Sequence, residues 1–106
     1  MKAYKLLRKM KDGYSPLFIN KRQRIQIGEW YAAENHPTKG FAERFGWHCC
    51  LKPEAPHLKD DKDNRVWCEV ELDGNIDLYD RPESQGGTWV LCTGSLKIIG
   101  EINNNK

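Results

Sequence analysis

Val66, Cys68, Val70 and Leu72 alternate with Trp67, Glu69 and Glu71. This period of two is the clearest pattern in the chain, and it predicts a strand with one buried and one mostly polar face. Residues 3–10 read as another strand, with Tyr4, Leu6 and Met10 on one side and Arg8 interrupting them. Asp12-Gly13 and Ser15-Pro16 are turn signals, and residues 17–20 are short and apolar enough to return as a second strand. Residues 3–20 are therefore expected to form an N-terminal hairpin.

Ile25 and Ile27 alternate with Gln26 and Gly28, which predicts a third strand that ends at Gly28 or runs on to Trp30 and Tyr31. Residues 32–64 carry no sustained period. Short helical turns fit at residues 32–34, at 41–45, where Phe41 and Phe45 are four apart, and at 54–58. Pro37 prevents a long helix in this region. Residues 76–79 are a weaker strand after the Asp73-Gly74-Asn75 turn, residues 88–92 are rich in β-formers, and residues 96–102 close the pattern after Thr93-Gly94. The expected fold is α+β and β-rich: a mostly antiparallel sheet of about six short strands with one or two short helical turns. Its predicted core is Leu6, Ile19, Ile27, Trp47, Val66, Cys68, Val70, Trp89, Leu91, Leu96 and Ile98.

With 106 residues, the chain fits a single domain over residues 1–102, followed by a polar tail at 103–106. Hydrophobic residues make up 39% and charged residues 30%, which excludes a disordered or membrane-spanning composition. No apolar export segment is visible, so a cytoplasmic location is expected, and Cys49, Cys50, Cys68 and Cys92 are read as free thiols. The net charge of +2 conceals an asymmetry. Residues 1–24 hold eight lysines and arginines against Asp12 alone, while the remainder is acidic. Such a division marks either a nucleic-acid or acidic-partner surface or two halves that attract one another.

The richest cluster of chemistry-bearing side chains is Gly46-Trp47-His48-Cys49-Cys50 with His57. Its spacing lacks the paired Cys-x-x-Cys or His-x₃₋₅-His of zinc sites, so no metal is expected. A thiolate at Cys49 or Cys50 beside His48 or His57 is possible by type, provided Arg44 or Lys52 lowers the thiol pKa. Glu69 and Glu71 share a strand face and read as its solvated side. Gly86-Gly87 lacks the helix and Lys-Ser/Thr of a phosphate loop. The basic hairpin, with Tyr4, Tyr14 and Phe18 interleaved, has the composition of a nucleic-acid surface but no established recognition motif.

Residues 4–8, 16–20, 28–30, 36–41, Gly46-Trp47-His48-Cys49, 55–58, 66–71 and Arg81-Pro82-Glu83-Ser84-Gln85-Gly86-Gly87 together resemble a set of small proteins from bacteriophages and mobile elements. The resemblance spans nearly the whole chain. It implies a non-catalytic protein in a host cytoplasm that binds a host or phage macromolecule, a protein first and a nucleic acid second. Arg8, Lys21, Arg22, Arg24, Trp30 and Trp67 are the expected anchors, since Trp and Arg dominate binding hot spots. A fainter similarity is to NAD-using ADP-ribosyltransferase folds, through Arg8, Gly46-Trp47-His48, Ala55 and the strand at 66–72. It implies an enzyme, or an inactive relative of one, with NAD as cofactor. Arg8, Trp47, His48 and Cys49 would then stand in the site, with Glu101 in the place of the family's glutamate.

Overall fold

The computed structural model describes residues 1–17, 22–33, 46–54 and 64–102. These residues form eight strands: β1 (Lys2–Met10), β2 (Gly13–Ser15), β3 (Trp30–Ala32), β4 (Trp47–Cys50), β5 (Arg65–Asp73), β6 (Ile76–Asp80), β7 (Thr88–Cys92) and β8 (Ser95–Glu101). The sheet runs β3-β8-β5-β1-β4-β7-β6, with β2 paired to β1, and every strand pair is antiparallel. The expected β-rich antiparallel sheet is present, but with eight strands. Among the described residues there is no α-helix, only a 3₁₀ turn at Glu83–Gln85, so the α+β expectation is corrected to a β fold. Most of residues 32–34, 41–45 and 54–58, where helical turns were expected, lie outside the described residues, as do the tail at 103–106 and Ile19 and Lys21. No helix of the described residues is long and apolar enough to cross a membrane.

The connections dictate how far this sheet bends. Gly74 and Asn75 alone join β5 to β6, and Thr93 and Gly94 alone join β7 to β8. Neither pair is adjacent in the sheet. Two residues span too little distance to reach across intervening strands. The sheet must therefore fold over on itself and bring the β5–β8 side onto the β6–β7 side. A second closure forms through two single bridges. Ile25 exchanges backbone hydrogen bonds with Tyr14, and Ile27 pairs with Ile98 of β8. Backbone pairing thus runs in a closed circuit through β1, β2, residues 25–27, β8 and β5. The indole N–H of Trp47 donates to the carbonyl of Tyr31 at 3.1 Å, tying β4 to the free side of β3.

Both faces of the central strands are covered. The inner face buries Ala3, Leu7, Ile25, Trp47, Cys49, Cys68, Val70, Leu72, Val90, Cys92, Leu96 and Ile98. The outer face carries a smaller cluster of Leu6, Leu17, Cys50, Trp67 and Trp89. This explains two departures from the sequence pattern. The strand that follows β1 through the Lys11-Asp12 turn is Gly13–Ser15, and Leu17 packs in the outer cluster, while residues 18–20 of the expected second arm lie outside the described residues. Ile27, predicted to be core, is 52% exposed, whereas Ile25 is fully buried. The segment crosses from β2 to β8 between them, so equal parity no longer means equal face.

Candidate functional site

Arg8, Lys9 and Lys11 lie at the turn end of β1, and Arg24 reaches the same turn, whereas Lys2 and Lys5 stand further back on β1 against Glu69 and the His48 carbonyl. β1 and β2 turn through Lys11 and Asp12, and Asp12 is held from both sides. Its carboxylate accepts from Arg24 Nε at 2.7 Å, and its carbonyl accepts from the Gln26 side chain at 2.6 Å. On β1, Lys9 ends the inner face and meets Glu101 at 2.8 Å. Tyr14 donates its hydroxyl to the same carboxylate at 2.6 Å. Lys9 and Arg24 are therefore committed to structure. Lys11 and Arg22 are exposed, and neither they nor Arg8 forms an ion pair among the described residues.

A shallow open groove of about 480 Å³ lies at this end, lined by Lys9, Met10, Lys11, Asn64, Arg65 and Val66. Asn64 turns the chain into β5 with a left-handed backbone (φ 59°), and its carbonyl accepts from the Lys9 amide at 2.9 Å. The lining thus combines the cationic Lys9, Lys11 and Arg65 with the apolar Met10 and Val66. Met10 remains 36% exposed there.

Hydrogen bonds from Lys9 and Tyr14 hold the Glu101 carboxyl below its ordinary value, while burial and the same carboxylate push the Tyr14 hydroxyl up. A carboxyl lowered by folding contributes stability above its unfolded pKa of about 4.3 and loses it as the pH falls further. Acid unfolding of Glu101→Gln should accordingly begin from a lower neutral-pH stability and depend less on pH below about 4.3. Chemical denaturation at neutral and acid pH measures both differences. Identical pH profiles for parent and variant would show that the Tyr14–Glu101–Lys9 contact contributes nothing.

The cluster around residues 46–50 is arranged differently from what nucleophilic chemistry requires. Cys49 and Cys50 are buried and free, and burial pushes their thiols up to about 11 and about 12. Lys5 opposes this shift at both, but too weakly to reverse it. Cys68 is likewise pushed up by burial to about 12. The activated Cys49 thiolate weighed from the sequence is thus corrected to a protonated core thiol. Arg44 and His57 lie outside the described residues. His48 Nδ1 sits 3.0 Å from the Tyr79 hydroxyl, and its carbonyl accepts from Lys5 Nζ at 2.8 Å. Trp89 packs beside Tyr79, donates its indole N–H to the Gln85 carbonyl at 2.7 Å, and carries Arg81 over its ring at 5.1 Å. Among the described residues no group of three metal-ligating side chains is gathered.

The described residues in the places that NAD-using folds would assign have partners or neighbours within the sheet, while Ala55 lies outside the described residues. Trp47 is buried with its indole on Tyr31, Arg8 stands opposite Arg65 across the β1–β5 ladder, and Glu101 is held by Lys9 and Tyr14. Of the two predicted aromatic anchors, Trp30 is 47% exposed at the sheet edge with Lys97 over its ring at 4.8 Å. Trp67 is corrected: it is 4% exposed, paired with Leu6 in the outer cluster. Tyr14, expected to stack on bases, is buried, and Tyr4 is half-buried. Glu69 and Glu71 do form a partly solvated strand side, paired with Lys2 and the N-terminal amine at 3.5 Å each. Arg65 went unnoticed in the sequence, because nothing local says that a strand's first residue will face the basic hairpin. No family model, curated protein or solved structure matches the chain.

Proposed function

We propose that this protein works by binding a macromolecule without chemistry of its own, and that its partner is an acidic segment of another protein laid in the groove beside Lys11 and Arg65. The observation that carries this reading is the combination of cationic side chains with the apolar Met10 and Val66 in one lining. An acidic chain with interspersed aliphatic side chains complements both. Single-stranded nucleic acid is the weaker fit, because bases require aromatic faces beside the cations and Tyr14 is turned into the core. A resemblance to small phage proteins, read from the sequence, favours a partner in host or phage machinery.

A short peptide of alternating glutamate and leucine tests the groove. It should bind in a salt-dependent manner, and amide chemical shifts should move at residues 9–11 and 64–66. Reversing one lining charge, Lys11→Glu, should weaken it by roughly fivefold, the effect of about 1 kcal/mol. Tighter binding of an oligonucleotide of equal charge would replace the protein partner with a nucleic acid. Shifts confined to some other surface would remove the groove from the function.

A further inference from the structure

We infer that β6 pairs with β6 of a second copy of this chain, edge to edge and antiparallel, about a two-fold axis at Leu78. β6 ends the sheet, and among the described residues its only strand neighbour is β7. The Thr93 amide donates to the Asn75 carbonyl and the Arg81 amide to the Gly87 carbonyl, so the odd residues of this segment turn their backbone groups toward β7. The amides and carbonyls of Ile76, Leu78 and Asp80 therefore point outward along the free edge. The side chains of these three share the face on which Ile76 packs against the inner cluster. Leu78 is nevertheless 59% exposed, more than any other large hydrophobic side chain among the described residues.

A bare edge of this kind is a template for another strand, and charged side chains usually guard it. Asp77 and Asp80 do not guard β6 against itself. With Leu78 opposite Leu78 of the second copy, Ile76 faces Asp80 and Asp77 faces Tyr79, so no aspartate stands opposite another. The two exposed leucines cover each other, and the outward groups match amide to carbonyl in roughly six hydrogen bonds. Arg81, which lies over the Trp89 ring, continues the face of Asp77 and Tyr79. It falls diagonal to Asp77 of the second copy, within reach of a long side chain. One segment thus supplies both signs of charge at positions that a two-fold axis brings together, which is what a self-complementary edge requires. Other registers fit worse. An axis at Asp77 sets the two Asp77 carboxylates opposite one another. An axis at Tyr79 sets Leu78 against Asp80 and Ile76 against Pro82, which has no N–H to donate. The contact is small beside the roughly 1,600 Å² of a standard interface, so the dimer is weak, half-formed at on the order of 100 µM.

Sedimentation velocity of the parent from about 5 to about 500 µM should show the monomer giving way to a dimer. Leu78→Lys, at a side chain mostly outside the core, should stay monomeric over that range while keeping the Tm of the dilute parent. Asp77→Arg and Arg81→Asp should each weaken the dimer by roughly threefold, and the double variant should recover it. A parent still monomeric at the highest concentration overturns the inference, as does a dimer that Leu78→Lys leaves intact. A double variant no tighter than either single one overturns the register. A monomeric parent whose amide shifts move at residues 76–80 on adding a peptide of alternating lysine and valine gives this edge to another protein and overturns the pairing of two copies.

Discussion

Gly94→Ala is expected to cost at least about 3 kcal/mol of stability, a large share of the roughly 5–15 kcal/mol that holds a domain of this size together. The reason lies in the two short connections that fold the sheet over. Gly74 belongs to one and Gly94 to the other, and their backbones touch: a Cβ built on Gly74 would stand 2.7 Å from the Gly94 Cα. A Cβ on Gly94 would overlap the carbonyl oxygen of Asp73, and that oxygen is not free to retreat. It accepts from Cys92 Sγ at 3.4 Å, while the Thr93 amide donates to Asn75 at 3.0 Å and the Ala33 amide to Gly94 at 2.7 Å. The obstacle is backbone and not the end of a flexible side chain, so the collision is relieved only by parting the two turns. Gly100→Ala is the control. Its Cβ meets nothing within 4 Å, and stability should stay within about 0.5 kcal/mol of the parent. Urea denaturation of the three proteins decides the matter. A Gly94→Ala variant as stable as Gly100→Ala would mean that the turns do not meet as described.

Native thiols should resist alkylation by more than about a hundredfold relative to an unfolded cysteine, the second large effect expected here. With Cys49 held up to about 11 and Cys50 and Cys68 to about 12, the thiolate fraction at pH 7 is about 10⁻⁴ or less, against about 10⁻² for a thiol of pKa 9. Burial then blocks the reagent as well, since each side chain is at most 1% exposed. Maleimide labelling at pH 7 should therefore proceed only through unfolding, with all four thiols reacting in denaturant. The core accommodates the neutral thiol, so the same shifts make stability fall as pH rises above the unfolded thiol value of about 8.5. Rapid labelling of Cys49 in the native protein would restore it as a nucleophile and return the molecule to the enzymes.

These expectations separate what is legible in the chain from what is not. Alternation at 66–72, the glycine turns at 74 and 94 and the density of β-formers near the C-terminus determined a sheet with short connections. They did so because strand period and turn chemistry are local properties. The burial of Val66, Cys68, Val70 and Leu72 to one side follows from the same period. The opposite side does not. Trp67 shares its face with Glu69 and Glu71 and reads as exposed, yet it is buried, because Leu6 of β1 lies against it and Leu17 joins the same cluster. Period two says which residues share a face, and only the packed neighbours say how much of that face is covered.

The candidate site was still less legible. The excess of basic residues before residue 25 was visible as composition, but Lys9 and Arg24 are consumed by Glu101 and Asp12, partners chosen by the fold. The groove needs Arg65, which stands 57 positions along the chain from its cross-strand partner Arg8. Their meeting depends on register, and a slip of one residue would send Arg65 to the inner face. The sequence by itself thus determined β1, β5, β6, β7 and β8 and the turns that join the last four. The tertiary structure alone decided which cations remain uncommitted and which two stand face to face, since those are facts about distance between segments that no local pattern encodes.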